Sequence, residues 1–142
     1  MRISDILRSK GASVSTVAPD ATVRELLSML AEKNIGALVV SEDGETIGGI
    51  VSERDVVRQL HEHGADLLVA PVSSIMTAEV LTCAPEDNVD DLRPTMTDHR
   101  IRHLPVVREG KLVGIVSIGD VVKSTISALE DEREHLVGYI QG

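Results

Sequence analysis

The chain has 142 residues, 42% of them apolar, enough to bury an aliphatic core in one domain or in two small units sharing it. Its net charge of −9, the lack of Trp and Phe and the single Tyr argue against a nucleic-acid surface, which needs segregated basic residues and stacking rings. The lone Cys83 excludes an intrachain disulfide or a cysteine-cluster metal site and agrees with a reducing cytoplasm. No apolar run approaches the ~20 residues that cross a bilayer, and Met1-Arg2-Ile3-Ser4-Asp5 lacks a secretory core, so a soluble protein without membrane contact is expected.

Residues 1–10 read as a short amphipathic turn ending near Gly11, and a brief strand at Val14–Val17 runs into Pro19. Thr22-x-x-Glu25 is a capping box, and Val23, Leu26, Leu27 and Leu30 recur at helical spacing, which predicts a helix over 22–33. Strands are predicted at Gly36–Ser41 and Thr46–Val51 about an Asp43-Gly44 turn, then a helix over 53–63 that stops at Gly64. Residues 65–74, with Pro71, form a crossover. A second unit follows, with a strand at Val80–Cys83, a helix from 89, strands at 103–108 and 111–116, and a long helix from Ile118. Pro94 falls inside the predicted helix 89–99, where an ideal interior proline costs ~3 kcal/mol, so a kink or a late start with Asp91 as cap is expected. On the final helix Glu130-Asp131-Glu132-Arg133-Glu134 reads as a solvated face. Leu136, Val137, Tyr139 and Ile140 continue an apolar stripe suited to the lead-in segment or a second subunit.

The chain is a duplication. Val17-Ala18-Pro19, Val23, Ile35 and Gly44 match Cys83-Ala84-Pro85, Val89, Ile101 and Gly110 at an offset of 66 (83 − 17, 110 − 44), whereas Gly49 and Asp55 match Gly114 and Asp120 at 65 (114 − 49, 120 − 55). One extra residue, most simply Gly48, is therefore expected as a bulge in the second strand of repeat one. Ile3-Ser4-Asp5-Ile6-Leu7 resembles Val72-Ser73-Ser74-Ile75-Met76 at an offset of 69 (72 − 3), so the lead-in is repeated too. This divides the chain into 1–64 (repeat one with its lead-in), 65–76 (crossover), 77–127 (repeat two) and 128–142 (a C-terminal helix extension), each repeat being β-α-β-β-α.

Gly49-Ile50-Val51-Ser52-Glu53-Arg54-Asp55 and Gly114-Ile115-Val116-Ser117-Ile118-Gly119-Asp120 each deliver a hydroxyl and a carboxylate to a helix start. Ser-x-x-Asp is a sufficient capping box with no ligand at all. The same groups, beside outward-pointing helix N–H donors, also suit a ribose on the Asp and a phosphate on the Ser. Arg100, Arg102 and His103 stand before Leu104-Pro105-Val106, where repeat one has Gly36 and Ala37, so two unequal sites are expected, the first helped by Arg54 and Arg58. The arginines equally suit surface ion pairs in an acidic protein. His61-x-His63 does not share a helix face and is not a metal pair; His99 and His135 read as surface and Cys83 as inert packing. No nucleophile–base arrangement points to catalysis.

Thr16-Val17-x-Pro19, Ile35-x-x-Leu38-Val39-Val40, Asp43-Gly44 and Gly49-Ile50-Val51-Ser52-x-x-Asp55 together resemble a CBS domain, named after cystathionine β-synthase. Thr82-Cys83-Ala84-Pro85, Arg100-Ile101-Arg102-His103-Leu104-Pro105, Gly110 and Gly114-Ile115-Val116-Ser117-x-x-Asp120 resemble a second. The resemblance implies an α+β fold in which two repeats pack as a pseudo-twofold pair. It also implies clefts for an adenosyl ligand (AMP first, with ATP, ADP, NAD or S-adenosylmethionine as alternatives), no catalytic cofactor and no enzymatic activity. By analogy Asp55 and Asp120 hold ribose, and Ser52 and Ser117 take ribose or phosphate. Thr16 and Thr82 line the clefts, while Ile35 and Ala37, or Ile101, Arg102 and His103, contact base and phosphate. Such pairs form homodimers and signal to another protein; a scaffold with empty clefts is the rival expectation.

Overall fold

In the computed structural model, which describes residues 1–11 and 13–141, helix α1 (Ile3–Lys10) precedes repeat one: β1 (Thr16–Val17), α2 (Val23–Lys33), β2 (Ala37–Val40), β3 (Gly49–Ser52) and α3 (Glu53–His63). Ala12, in the predicted lead-in, and Gly142, in the predicted extension, lie outside the described residues. Two 3-10 turns, Gly64–Val69 and Val72–Ser74, cross to repeat two: α4 (Val89–His99), β4 (His103–Arg108), β5 (Lys111–Ser117) and the long α5 (Ile118–Gln141). The fold is α+β, as the repeat pattern predicts. β1 lies parallel to β2 and β2 antiparallel to β3, while β4 and β5 form an antiparallel pair.

Four local expectations are corrected. The bulge lies in repeat two: Val106 faces Gly114 but Val107 faces Leu112, leaving Val113 extra, whereas β2–β3 pairs without interruption and Gly48 closes the preceding loop by donating to the Val40 carbonyl at 2.8 Å. That loop is long because Asp43 organises it, accepting from Ser41 Oγ, Glu45 N and Thr46 N, so β3 starts at Gly49 and not at Thr46. The tight second hairpin instead turns through Glu109 and Gly110, both at positive φ. The strand predicted at Val80–Cys83 contracts to one parallel bridge between Cys83 and Val106. Pro105 has no N–H to donate to the Leu81 carbonyl, the next bond such a ladder needs. Finally, α4 does not start late. Asn88 caps it by accepting from Asp90 N at 3.0 Å, and Pro94 lies within the helix on an exposed face, where its ring meets no core side chain.

The two repeats exchange their lead-in segments. Ile3, Ile6 and Leu7 of α1 are buried with Val89, Leu92, Met96, Leu104, Val106, Val116 and Val121 of repeat two. Leu67, Val72 and Ile75 are buried with Val23, Leu26, Leu38, Val40, Val51 and Val56 of repeat one. Matched backbone bonds fasten both: Ile3 N donates to Asp87 O and Ser4 N to Pro85 O, as Val72 N donates to Ala21 O and Ser73 N to Pro19 O. Each lead-in then crosses a glycine of the core strand, Gly114 within β5 and Gly49 at the start of β3. A Cβ on Gly114 would stand 2.6 Å from Leu7 Cδ2, and one on Gly49 would stand 2.6 Å from Met76 Sδ. Two aliphatic cores result, the first completed by the segment that follows it and the second by the segment that precedes the first.

Candidate functional site

Both Ser-x-x-Asp segments fold as capping boxes. In repeat one, Ser52 N and Ser52 Oγ donate to Asp55 Oδ2 at 2.8 and 3.0 Å, and Asp55 N donates back to Ser52 Oγ. In repeat two, Ser117 N donates to Asp120 Oδ2 at 2.9 Å and Asp120 N to Ser117 Oγ at 3.1 Å. The strand carbonyl opposite each cap is also used alike: Glu53 N donates to Gly36 O and Ile118 N to Arg102 O. The resemblance ends there. Asp55 is paired with no cation among the described residues, whereas Asp120 accepts from Lys10 Nζ at 2.7 Å, and the same ammonium donates to Ile115 O at 2.9 Å.

An open cleft of about 1350 Å³ runs between the repeats. Repeat one lines it with Gly36, Ala37, Ser52, Arg54, Asp55 and Arg58, and repeat two with Arg100, Ile101, Arg102, His103 and Ser117. Thr77, Glu79, Val80 and Leu81, just after the second lead-in, close one side. The arginines of repeat two and the carboxylate of repeat one thus line the same cleft. Small residues make the room. Gly36 and Ala37 are the counterparts of Arg102 and His103 (102 − 36 = 66), and a Cβ on Gly36 would stand 3.6 Å from His103 Cε1.

Charge in this cleft is tuned by its neighbours. Burial holds the His103 imidazole below its ordinary pKa, and the Lys10 and Arg102 cations push the same way against the opposing Asp120 and Glu53 carboxylates. For Asp120, burial acts to raise the pKa, but the hydrogen bonds from Lys10 and Ser117 outweigh it and the carboxyl lies below its usual range.

Of the residues expected at the site, Ala37, Ser52, Arg54, Asp55, Ile101, Arg102, His103 and Ser117 share the cleft. Four do not line it. Thr16 is bound in the β1–β2 ladder opposite Val39, and Ile35 packs on the core of repeat one. Thr82 borders a separate hollow of about 250 Å³ with Cys83, Asp87 and Thr95, and Asp120 is held by Lys10. His99, read as surface, and Glu79, not singled out, both line the cleft. Glu79 and Lys10 are counterparts at the lead-in offset of 69 (79 − 10), which was the available signal for both.

Two α+β halves with exchanged lead-ins, each carrying a Ser-x-x-Asp capping box at a helix start, define a duplicated domain. The CBS domain model matches residues 3–62 and 72–127, and the chain belongs to the CBS domain family. It is 38% identical over 99% of its length to the mitochondrial CBS domain-containing protein CBSX3 of Arabidopsis thaliana, covering 72% of that protein. A crystal structure of a CBS-domain-containing protein from Agrobacterium tumefaciens is 42% identical and superposes with a TM-score of 0.85, over 88% of this chain and 99% of that one. A CBS domain protein from Pyrobaculum aerophilum complexed with AMP is 32% identical, with a TM-score of 0.75 over 84% of this chain and 89% of that one.

Proposed function

We propose that this chain is a regulatory module that binds an adenosyl nucleotide in the inter-repeat cleft and reports it through dimer shape or an effector protein. The observation that carries this is Asp55. Its carboxylate is oriented by Ser52, free of any described cation and set in a cleft that also holds Arg100, Arg102 and His103. Asp55 would take the ribose hydroxyls, and the arginines with Ser117 and the α5 N-terminus the phosphate. AMP is the favoured ligand, supported by the AMP complex of the Pyrobaculum aerophilum relative; ATP, NAD and S-adenosylmethionine are the alternatives. Exposed Val57 and Leu60 on α3 and Val122, Ile126 and Leu129 on α5 offer an apolar face for a second copy. No described helix is long and apolar enough to cross a membrane, and a cytoplasmic location is part of this reading; the mitochondrial relative supplies the other compartment to test. We read the role as sensing, without turnover of the nucleotide.

Charge-assisted hydrogen bonds contribute about 1.5–3 kcal/mol each, so Asp55→Ala should weaken AMP binding by roughly tenfold to a few hundredfold in calorimetry. Unchanged affinity would remove Asp55 from the site. The complete capping boxes favour one second reading, an interaction protein whose Ser-x-x-Asp groups serve only the helices. It requires no melting shift with AMP, ADP, ATP, NAD or S-adenosylmethionine.

A further inference from the structure

The two halves match in the backbone bonds of their lead-ins and caps, yet their carboxylates are used differently, and the cause lies in the lead-ins. The second lead-in ends as a 3-10 turn at Ser74 and then runs extended, so that Thr77 exchanges two backbone bonds with Ile50, N to O at 2.9 Å each way. The first lead-in stays helical to Lys10. Its last residue therefore arrives beside β5, where the lysine ammonium takes the Ile115 carbonyl, the counterpart of the one that Thr77 takes in repeat one, and Asp120 with it. The residue at the position of Lys10 in the other half is Glu79, an anion that cannot pair with Asp55. Lys10 Nζ thus occupies, with charge and hydrogen bonds, the carboxylate that in the other half is left open. A ribose would have to displace an ammonium ion with neutral hydroxyls, an exchange that loses a charge-assisted bond for an uncharged one.

Resting on the nucleotide reading above, we propose that Lys10 is a built-in occupant of the second carboxylate, Asp120, so that each chain takes one nucleotide, on Asp55, and a second only when the lysine charge is removed. Lys10 is then the residue that sets stoichiometry, through the Asp120 carboxylate it pairs with. Its stem need not change, so Lys10→Met keeps the length of the side chain and the α1 packing while deleting the ammonium.

The test is calorimetric titration of the full chain with AMP. The wild type is expected to bind one AMP per chain and to lose it in Asp55→Ala. Lys10→Met should bind two, with the added site abolished in Lys10→Met/Asp120→Asn and the first unaltered to within about twofold. Two equivalent sites in the wild type, or a single site in Lys10→Met, would overturn the proposal while leaving the nucleotide reading standing. No binding by either protein to AMP, ATP or NAD would overturn both. A readout independent of ligand is the Asp120 carboxyl titration followed by NMR. It should move upward in Lys10→Met, and an unmoved titration shows that the ion pair does not form in solution and sinks the idea.

Discussion

Gly49→Ala and Gly114→Ala are the same substitution at matched positions, and the exchange of lead-ins predicts that they will not cost the same. With nothing overhead, Gly→Ala inside a strand gains ~0.5–1 kcal/mol. At Gly114 the new methyl would meet Leu7 Cδ2 and Cδ1 at 2.6 and 2.9 Å, the ends of a side chain that can turn within its core at a cost of about 1–2 kcal/mol net. At Gly49 it would meet not only Met76 Sδ at 2.6 Å but the Thr77 carbonyl at 2.9 Å. That backbone oxygen is fixed by the bond from Ile50 N, so the crossing itself must open, and ~3 kcal/mol is expected. Urea unfolding measured for both variants decides the matter, the gap of ~1.5 kcal/mol being well outside its error. Leu7→Ala, which alone leaves a cavity worth ~2–5 kcal/mol, should partly rescue Gly114→Ala, with a coupling of about 1 kcal/mol in the double-mutant cycle. A milder Gly49→Ala than Gly114→Ala, or strict additivity with Leu7→Ala, would refute the packing described here.

Other outcomes follow from the titrating groups. Because the folded-state pKa of His103 is depressed, its contribution to stability is fully present above roughly pH 6.5 and is lost as pH falls toward the folded value, where the unfolded chain takes a proton that the folded chain refuses. The stability difference between pH 7.5 and 5.5 should therefore shrink in His103→Gln. The pKa of Asp120 is lowered, so the stabilisation by its ion pair with Lys10 holds above the ordinary carboxylate range and disappears as pH falls below ~4; Asp120→Asn should flatten acid unfolding there. Burial, with the Asp87 charge adding to it, pushes the Cys83 thiol up to about 12, so thiol-reactive reagents should leave it unmodified at pH 8 until denaturant is added.

The sequence pattern located the helices α2 to α5 and both carboxylates because capping and helical periodicity are local: Thr22, Ser52 and Ser117 each act on a residue three positions away, whereas the lead-in read as a turn is the helix α1. What escaped was the effect of partners distant in sequence. Nothing near Leu81 shows that Pro105 will withhold the donor its strand needs, and nothing near Gly48 shows that Asp43 will fold the extra residue into a loop. Lys10 and Asp120 are 110 residues apart, so their pairing requires knowing that the first lead-in crosses to the second repeat. The offset of 69 in the lead-ins against 66 in the repeats marked those segments as a third duplicated part, and the symmetry of a pair makes exchange one of only two ways to place them.

That crossing has a bearing on how the chain is made. The first half is finished only when residues as late as Ile75 have emerged, and the second needs Ile3, Ile6 and Leu7, which lie upstream of the whole first repeat. The first half closes around one continuous stretch, from Val17 to Ile75, whereas the second must recruit chain from before the first, contacts that span most of the polypeptide and belong to the slow regime of topology-limited folding. The protein is thus latched at one point: α1, held in the core of repeat two, ties the chain before repeat one to the half that follows it.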